Sequence, residues 1–172
     1  MIHLPATIRL AAVLGLAGFA ALAVCSGAGT PARGAAPSGL SDVYMRDGVA
    51  LAGYDPVAYF LDREPVPGSD SYSVEWNGAV WRFASAEHAA LFRDRPERFA
   101  PQYGGYSLYG MSLGKAYVPD PRVFDIIDGK LYLSRNGAVR QIWQRNPDGY
   151  IAAADRAWNA SAWSDVADQL VP

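Results

Sequence analysis

Tyr72-Ser73-Val74-Glu75-Trp76-Asn77-Gly78-Ala79-Val80-Trp81-Arg82-Phe83 is the stretch whose reading decides the fold. Asn77-Gly78 stands between two runs rich in aromatic and β-branched residues. A two-residue hairpin turn needs positive φ at both central positions, and Asn and Gly adopt it most readily. Tyr72, Val74 and Trp76 alternate on the first arm, Trp81 and Phe83 on the second, so each arm can bury one face. Working outward, Ser85 is placed to cap a helix through His88, Leu91 and Phe92, which share a face at spacings of three and four. Pro96 suits the first turn of another short helix, which Gly104-Gly105 is expected to end.

The remaining segments fit around this hairpin. Val43 to Leu51 reads as a short strand pair about Asp47-Gly48. Asp55 can cap a short helix with Pro56 in its first turn and Val57, Tyr59 and Phe60 as its apolar content. Arg63 to Asp70 holds two prolines and a glycine and reads as a loop. Ser107 to Leu113 is a helical candidate that Gly110 weakens. Val123–Ile127 and Lys130–Leu133 flank Asp128-Gly129, a second hairpin. Asn136 can cap a helix through Val139, Ile142 and Trp143 that stops before Pro147. Residues 148–163 give an amphipathic helix with Ile151, Ala154, Trp158 and Ala162 near one stripe. Hairpins and helices without a strand–helix–strand alternation predict an α+β class: small antiparallel hairpins packed with short helices, closed by a C-terminal helix.

The domain is expected over 42–163, with 164–172 as a tail. Residues 1–36 read as a signal peptide: Arg9 precedes an apolar run from Leu10 to Val24, and small residues follow. Residues 37–41 continue a Gly-, Ala-, Ser- and Pro-rich linker. Export to the periplasm or medium is the expected location, with no membrane span once the signal is cleaved. Cys25 is the one cysteine of the chain. Val24, where a small residue is expected, argues against lipid attachment at Cys25. The net charge is −2, and no basic run or basic helix face is present, which argues against nucleic-acid binding.

Tyr72 to Phe83, Phe83-Ala84-Ser85, Phe92, Pro96 and Pro101-Gln102-Tyr103-Gly104-Gly105-Tyr106 together resemble the YHS domain family, whose core is a small hairpin followed by helices. Gly53-Tyr54-Asp55-Pro56-Val57-Ala58-Tyr59-Phe60, ahead of the hairpin, is similar to the exported bacterial branch. The resemblance implies a metal-site ancestry. Metal-binding members carry cysteines after Asp-Pro-Val, after the Phe that closes the hairpin, and four residues further on. Those positions here are Ala58, Ala84 and His88. Another cysteine follows Gly-Gly-Tyr in the exported branch, where this chain has Ser107. A methyl group cannot coordinate a metal, so the implied site is degenerate.

Two readings of function stand. In the first, the chain is a non-enzymatic binding or accessory module for a small ligand or a protein partner. Its expected cleft is formed by Tyr54, Asp55, Tyr103, Tyr106 and Ser107, with Gly104 and Gly105 letting a ligand approach the backbone. In the second, the chain handles copper, zinc or another heavy metal through His88, with Met111 or Asp55 as partner, since imidazole and thioether are ligands for such ions. Against the metal, a lone His is more often a packed helix-face residue, and a lone Met a gap-filler. Asp55 is equally accounted for as a helix cap. Enzyme chemistry is not expected: there is no nucleophile elbow, phosphate loop or dinucleotide fingerprint.

Overall fold

The structure, a computed structural model, describes residues 41–165. The expected signal peptide, the linker up to residue 40, Cys25 and the tail beyond Asp165 lie outside the described residues. In chain order, β1 (Met45–Arg46) and β2 (Val49–Ala50) lead through a 3-10 turn at Leu51–Gly53 to α1 (Ala58–Leu61). The hairpin β3 (Ser69–Trp76) and β4 (Ala79–Phe83) comes next, then α2 (Ala86–Asp94) and α3 (Pro96–Phe99). A second 3-10 turn, Gln102–Gly105, opens α4 (Leu108–Ser112) and β5 (Lys115–Ala116). The chain closes with β6 (Asp120–Ile127), β7 (Lys130–Ser134), α5 (Gly137–Trp143), α6 (Pro147–Asn159) and β8 (Ser164–Asp165). The fold is α+β. Among the described residues no helix is long and apolar enough to cross a membrane.

All three expected turns form. Asp47-Gly48, Asn77-Gly78 and Asp128-Gly129 all have positive φ. The first sheet has the order β1-β2-β4-β3, and Val74 faces Trp81 across the central hairpin. β2 joins β4 in parallel through Val49 and Val80, a pairing that neither segment's own pattern announces. β6 and β7 pair antiparallel as a separate two-stranded sheet. The other unexpected pairing is β8 alongside β5. It places the first two residues of the expected tail in a ladder.

Two hydrophobic cores result. The first collects Leu51, Val57, Tyr59, Trp81, Phe83, Phe92, Leu131 and Leu133. Trp81 is 1% exposed; its ring lies 5.1 Å from Phe92 and 5.7 Å from Trp76. Its indole N–H donates to the Trp76 carbonyl at 3.0 Å. The second core collects Tyr103, Tyr106, Leu108, Met111, Tyr132, Trp143, Ala154 and Trp163. Trp143 donates to Ser134 Oγ there at 2.9 Å, so the buried indole keeps a partner.

Several expectations are corrected: Tyr72 of β3 and Ile142 of α5, expected on apolar faces with Trp76 and Trp143, are exposed. On α2 the buried residues are Ala89 and Phe92, while Leu91 is exposed. A stripe through positions 89 and 92 turns the intervening Leu91 outward. Gly104 and Gly105 do not end α3, which stops at Phe99; they belong to the following 3-10 turn. Gly104 is needed there, because it has positive φ and a Cβ on it would strike the Asp42 carbonyl. Finally, α6 ends at Asn159, and exposed Ala162 is not part of its stripe. Ser161 takes positive φ, and Trp163 comes in instead, stacked on Trp158 at 5.1 Å.

Candidate functional site

Asp55 is fully buried, one of few polar side chains that are. An ionised carboxylate only accepts hydrogen bonds, and burying it requires donors on both oxygens. Oδ1 accepts from the backbone N–H of Val57 at 2.8 Å and of Ala58 at 3.3 Å, closing the turn that leads into α1; the helix begins at Ala58 with Val57 at its N-cap, so Asp55 and Pro56 precede it rather than cap and open it. Oδ2 accepts from the backbone N–H of Ala84 at 2.8 Å and from Nδ1 of His88 at 2.7 Å. The backbone N–H of Asp55 donates to the Val66 carbonyl at 2.8 Å. One carboxylate therefore ties together α1, the end of β4 and α2.

His88 is held from two sides. Its backbone N–H donates to Ser85 Oγ at 3.1 Å, the expected N-cap of α2, and its ring to Asp55. The side chain is 13% exposed. Because the carboxylate can only accept, Nδ1 carries the proton and Nε2 is the free ring nitrogen. Nε2 makes no hydrogen bond to another described residue. Ala58, Ala84 and His88, spread over 30 residues of chain, thus meet around one carboxylate. Among the described residues no three His, Cys, Asp or Glu side chains cluster as metal ligands do.

The other expected site residues do not join this cluster. Tyr54 packs against the first core and bridges to Pro67. Tyr103 and Tyr106 are buried in the second core, because positive φ at Tyr103 and Gly104 swings that turn toward α6. The Tyr103 hydroxyl donates to Asp155 Oδ1 at 3.0 Å. Burial, and then the Asp155 carboxylate, push its phenol far above the ordinary tyrosine range. The Tyr106 hydroxyl donates to the Ser41 carbonyl at 3.1 Å. Met111 is fully buried in the second core, whereas His88 sits on Asp55, whose partners Ala58 and Ala84 are chain neighbours of Val57 and Phe83 in the first. The expected cleft of Tyr54, Asp55, Tyr103, Tyr106 and Ser107 is therefore not one place, and the pairing of His88 with Met111 is not formed.

Ser107 is buried, and its Oγ has no hydrogen-bond partner among the described residues. Its backbone N–H donates to the Tyr117 carbonyl at 3.0 Å. An orphaned buried hydroxyl costs about 1–3 kcal/mol. Ser107→Ala, which removes it, is expected to raise stability by about 1 kcal/mol in urea denaturation followed by tryptophan fluorescence. A loss of that size instead would mean that the hydroxyl has a partner in solution.

Three arginines to which the sequence assigns no role, Arg63, Arg122 and Arg140, line a groove of about 510 Å³ along β6. Asp120-Pro121-Arg122 is its one readable trace, since Arg122 pairs with Asp120 at 3.0 Å. That pairing holds the Asp120 carboxyl below its ordinary range. The Arg140–Asp125 pair joins residues 15 apart on different elements, which no local pattern signals. Compared with protein-family models, curated proteins and solved structures, the chain has no match.

Proposed function

We propose that this chain is a non-enzymatic binding or accessory module of the YHS type, whose metal-ligating corner has become a hydrogen-bonded corner centred on Asp55. One observation carries the reading. Ala58, Ala84 and His88, the positions where the resemblance implies cysteines, all donate to the Asp55 carboxylate. A metal there would clamp three segments through thiolates. In this chain an anion clamps the same segments through two backbone N–H groups and an imidazole, so the corner holds without a thiolate. The apolar run after Arg9 supports an exported, periplasmic setting for the module.

A second reading, heavy-metal handling at His88, is favoured by one feature. A carboxylate on Nδ1 with Nε2 left free is how metal-ligating histidines are oriented. Asp55 would then act behind the imidazole rather than as a ligand, because its own lone pairs are filled. Copper or zinc would find one strong donor, too few for tight binding.

Thermal melting of metal-stripped protein, with and without excess copper or zinc, separates the two. Tight binding to the native state stabilises it by about 2.7 kcal/mol at a hundredfold excess over Kd. No shift in melting temperature is expected. A large shift that disappears in His88→Ala would establish metal handling instead.

A further inference from the structure

We propose that the outer edge of β6 is a docking site for an extended, acidic peptide segment of another protein, which adds as a third strand beside β7 and β6. This gives the binding module a class of partner; it rests on that reading but uses none of the residues around Asp55.

Arg122, Val123, Phe124, Asp125 and Ile126 all line the groove. Successive side chains of a strand point to opposite faces. Phe124, Asp125 and Ile126 lie where the register is regular, so a groove lined by all three runs along the strand's edge. Among the described residues β6 pairs with β7 on one side alone, and an unpaired edge offers a row of backbone donors and acceptors to any extended chain. The walls follow the same alternation. Phe124 meets Tyr59 of α1 edge-on at 4.9 Å, and Asp125, pointing the other way, receives two hydrogen bonds from Arg140 of α5 at 2.7 and 2.8 Å. The Tyr59 hydroxyl donates to the Pro121 carbonyl at 2.8 Å. The slot is therefore set before anything enters it.

Its charge selects the occupant. Three arginines line the groove against one acidic residue, Asp125. Arg122 and Arg140 each spend Nε and Nη2 on an aspartate, leaving Nη1 to offer, since a guanidinium has five donors. Arg63 makes no ion pair among the described residues. Its chain neighbours Asp62 and Glu64 do not line the groove. A second copy of this chain would set each arginine against its duplicates, a like-charge arrangement that disfavours self-pairing. Pro121 and the irregularity between Asp120 and Phe124 blunt the first half of the edge. Strand addition is therefore assigned to Phe124–Ile127, where the register is regular.

The test measures binding of a fluorescent, end-blocked synthetic peptide of alternating threonine and glutamate to the full chain. The same peptide with lysine for glutamate is one control; the other carries N-methyl groups on the amides of its pairing edge. The glutamate peptide is expected to bind, the lysine peptide not to, and N-methylation to abolish binding. Arg63 is exposed, so Arg63→Glu should leave the melting temperature unchanged and weaken binding about tenfold or more. No binding of the glutamate peptide, equal binding of the lysine peptide, or undiminished binding after N-methylation would each overturn the proposal. So would a dimer of the chain blocked by the glutamate peptide, which would assign the edge to a second copy. Melting with copper or zinc is independent of this edge, so either idea can fail alone.

Discussion

Asp55→Ala is expected to destabilise the folded chain by roughly 3–5 kcal/mol, the range for removing one member of a buried charged cluster. The carboxylate is fully buried and accepts four hydrogen bonds. Its loss leaves three backbone N–H groups and an imidazole without their acceptor, and an unsatisfied buried donor costs more than a made bond contributes. Asp55→Asn tests the same geometry more gently. Its carbonyl can keep the Val57 and Ala58 bonds, but its NH₂ then opposes the Ala84 N–H, so about 1–3 kcal/mol should be lost. His88→Ala removes one donor of four and leaves the carboxylate on backbone alone, with a loss of about 1–2 kcal/mol. The order Asp55→Ala, Asp55→Asn, His88→Ala in urea denaturation is what a structural corner requires. If Asp55→Ala cost no more than His88→Ala, the carboxylate would serve the imidazole alone, and a role in orienting a reactive or ligating His88 would gain weight.

The second large effect is expected at the central hairpin. Trp81→Ala or Phe83→Ala should each cost about 3–5 kcal/mol, through lost burial and the cavity left behind. Trp81 is packed against Trp76 and Phe92, and Phe83 lies 5.1 Å from Phe92. Both variants therefore open the seam between the sheet and α2. Tyr72→Ala on the opposite arm is the control, since that side chain is 39% exposed; its cost should stay within about 0.5 kcal/mol. Losses below about 1 kcal/mol at both Trp81 and Phe83, the size of surface substitutions, would mean that this face of the hairpin does not form the core.

The corner around Asp55 was half readable. Asp before Pro, ahead of a short apolar run, signals a capping carboxylate, because the donors it caps lie two and three residues on. That the same carboxylate would reach Ala84 and His88 has no local signature: they lie 29 and 33 residues further along the chain. The resemblance grouped Ala58, Ala84 and His88 as positions, and Asp55 was expected as a partner of His88, which it is at 2.7 Å, but not as the acceptor that joins all three. The expected tyrosine cleft failed for a related reason. Tyr103 and Tyr106 carry hydroxyls that suit a ligand, yet each hydroxyl is taken by an acceptor far along the chain, at Asp155 and Ser41.

By itself the sequence determined the local elements: the turns at Asp47-Gly48, Asn77-Gly78 and Asp128-Gly129, the Asp55 turn ahead of α1, the caps at Ser85 and Asn136, and the alternation that buries Trp81 and Phe83. These rest on φ preferences and on side chains that reach only their near neighbours, so a short window contains the physics. Tertiary structure alone decided the parallel pairing of β2 with β4, the docking of β8 on β5, the separation of Met111 from His88 into different packing environments, and the open edge of β6. Each depends on which distant segments share a volume. Such contacts are selected by the closest packing of whole cores, and no periodicity within one segment encodes it.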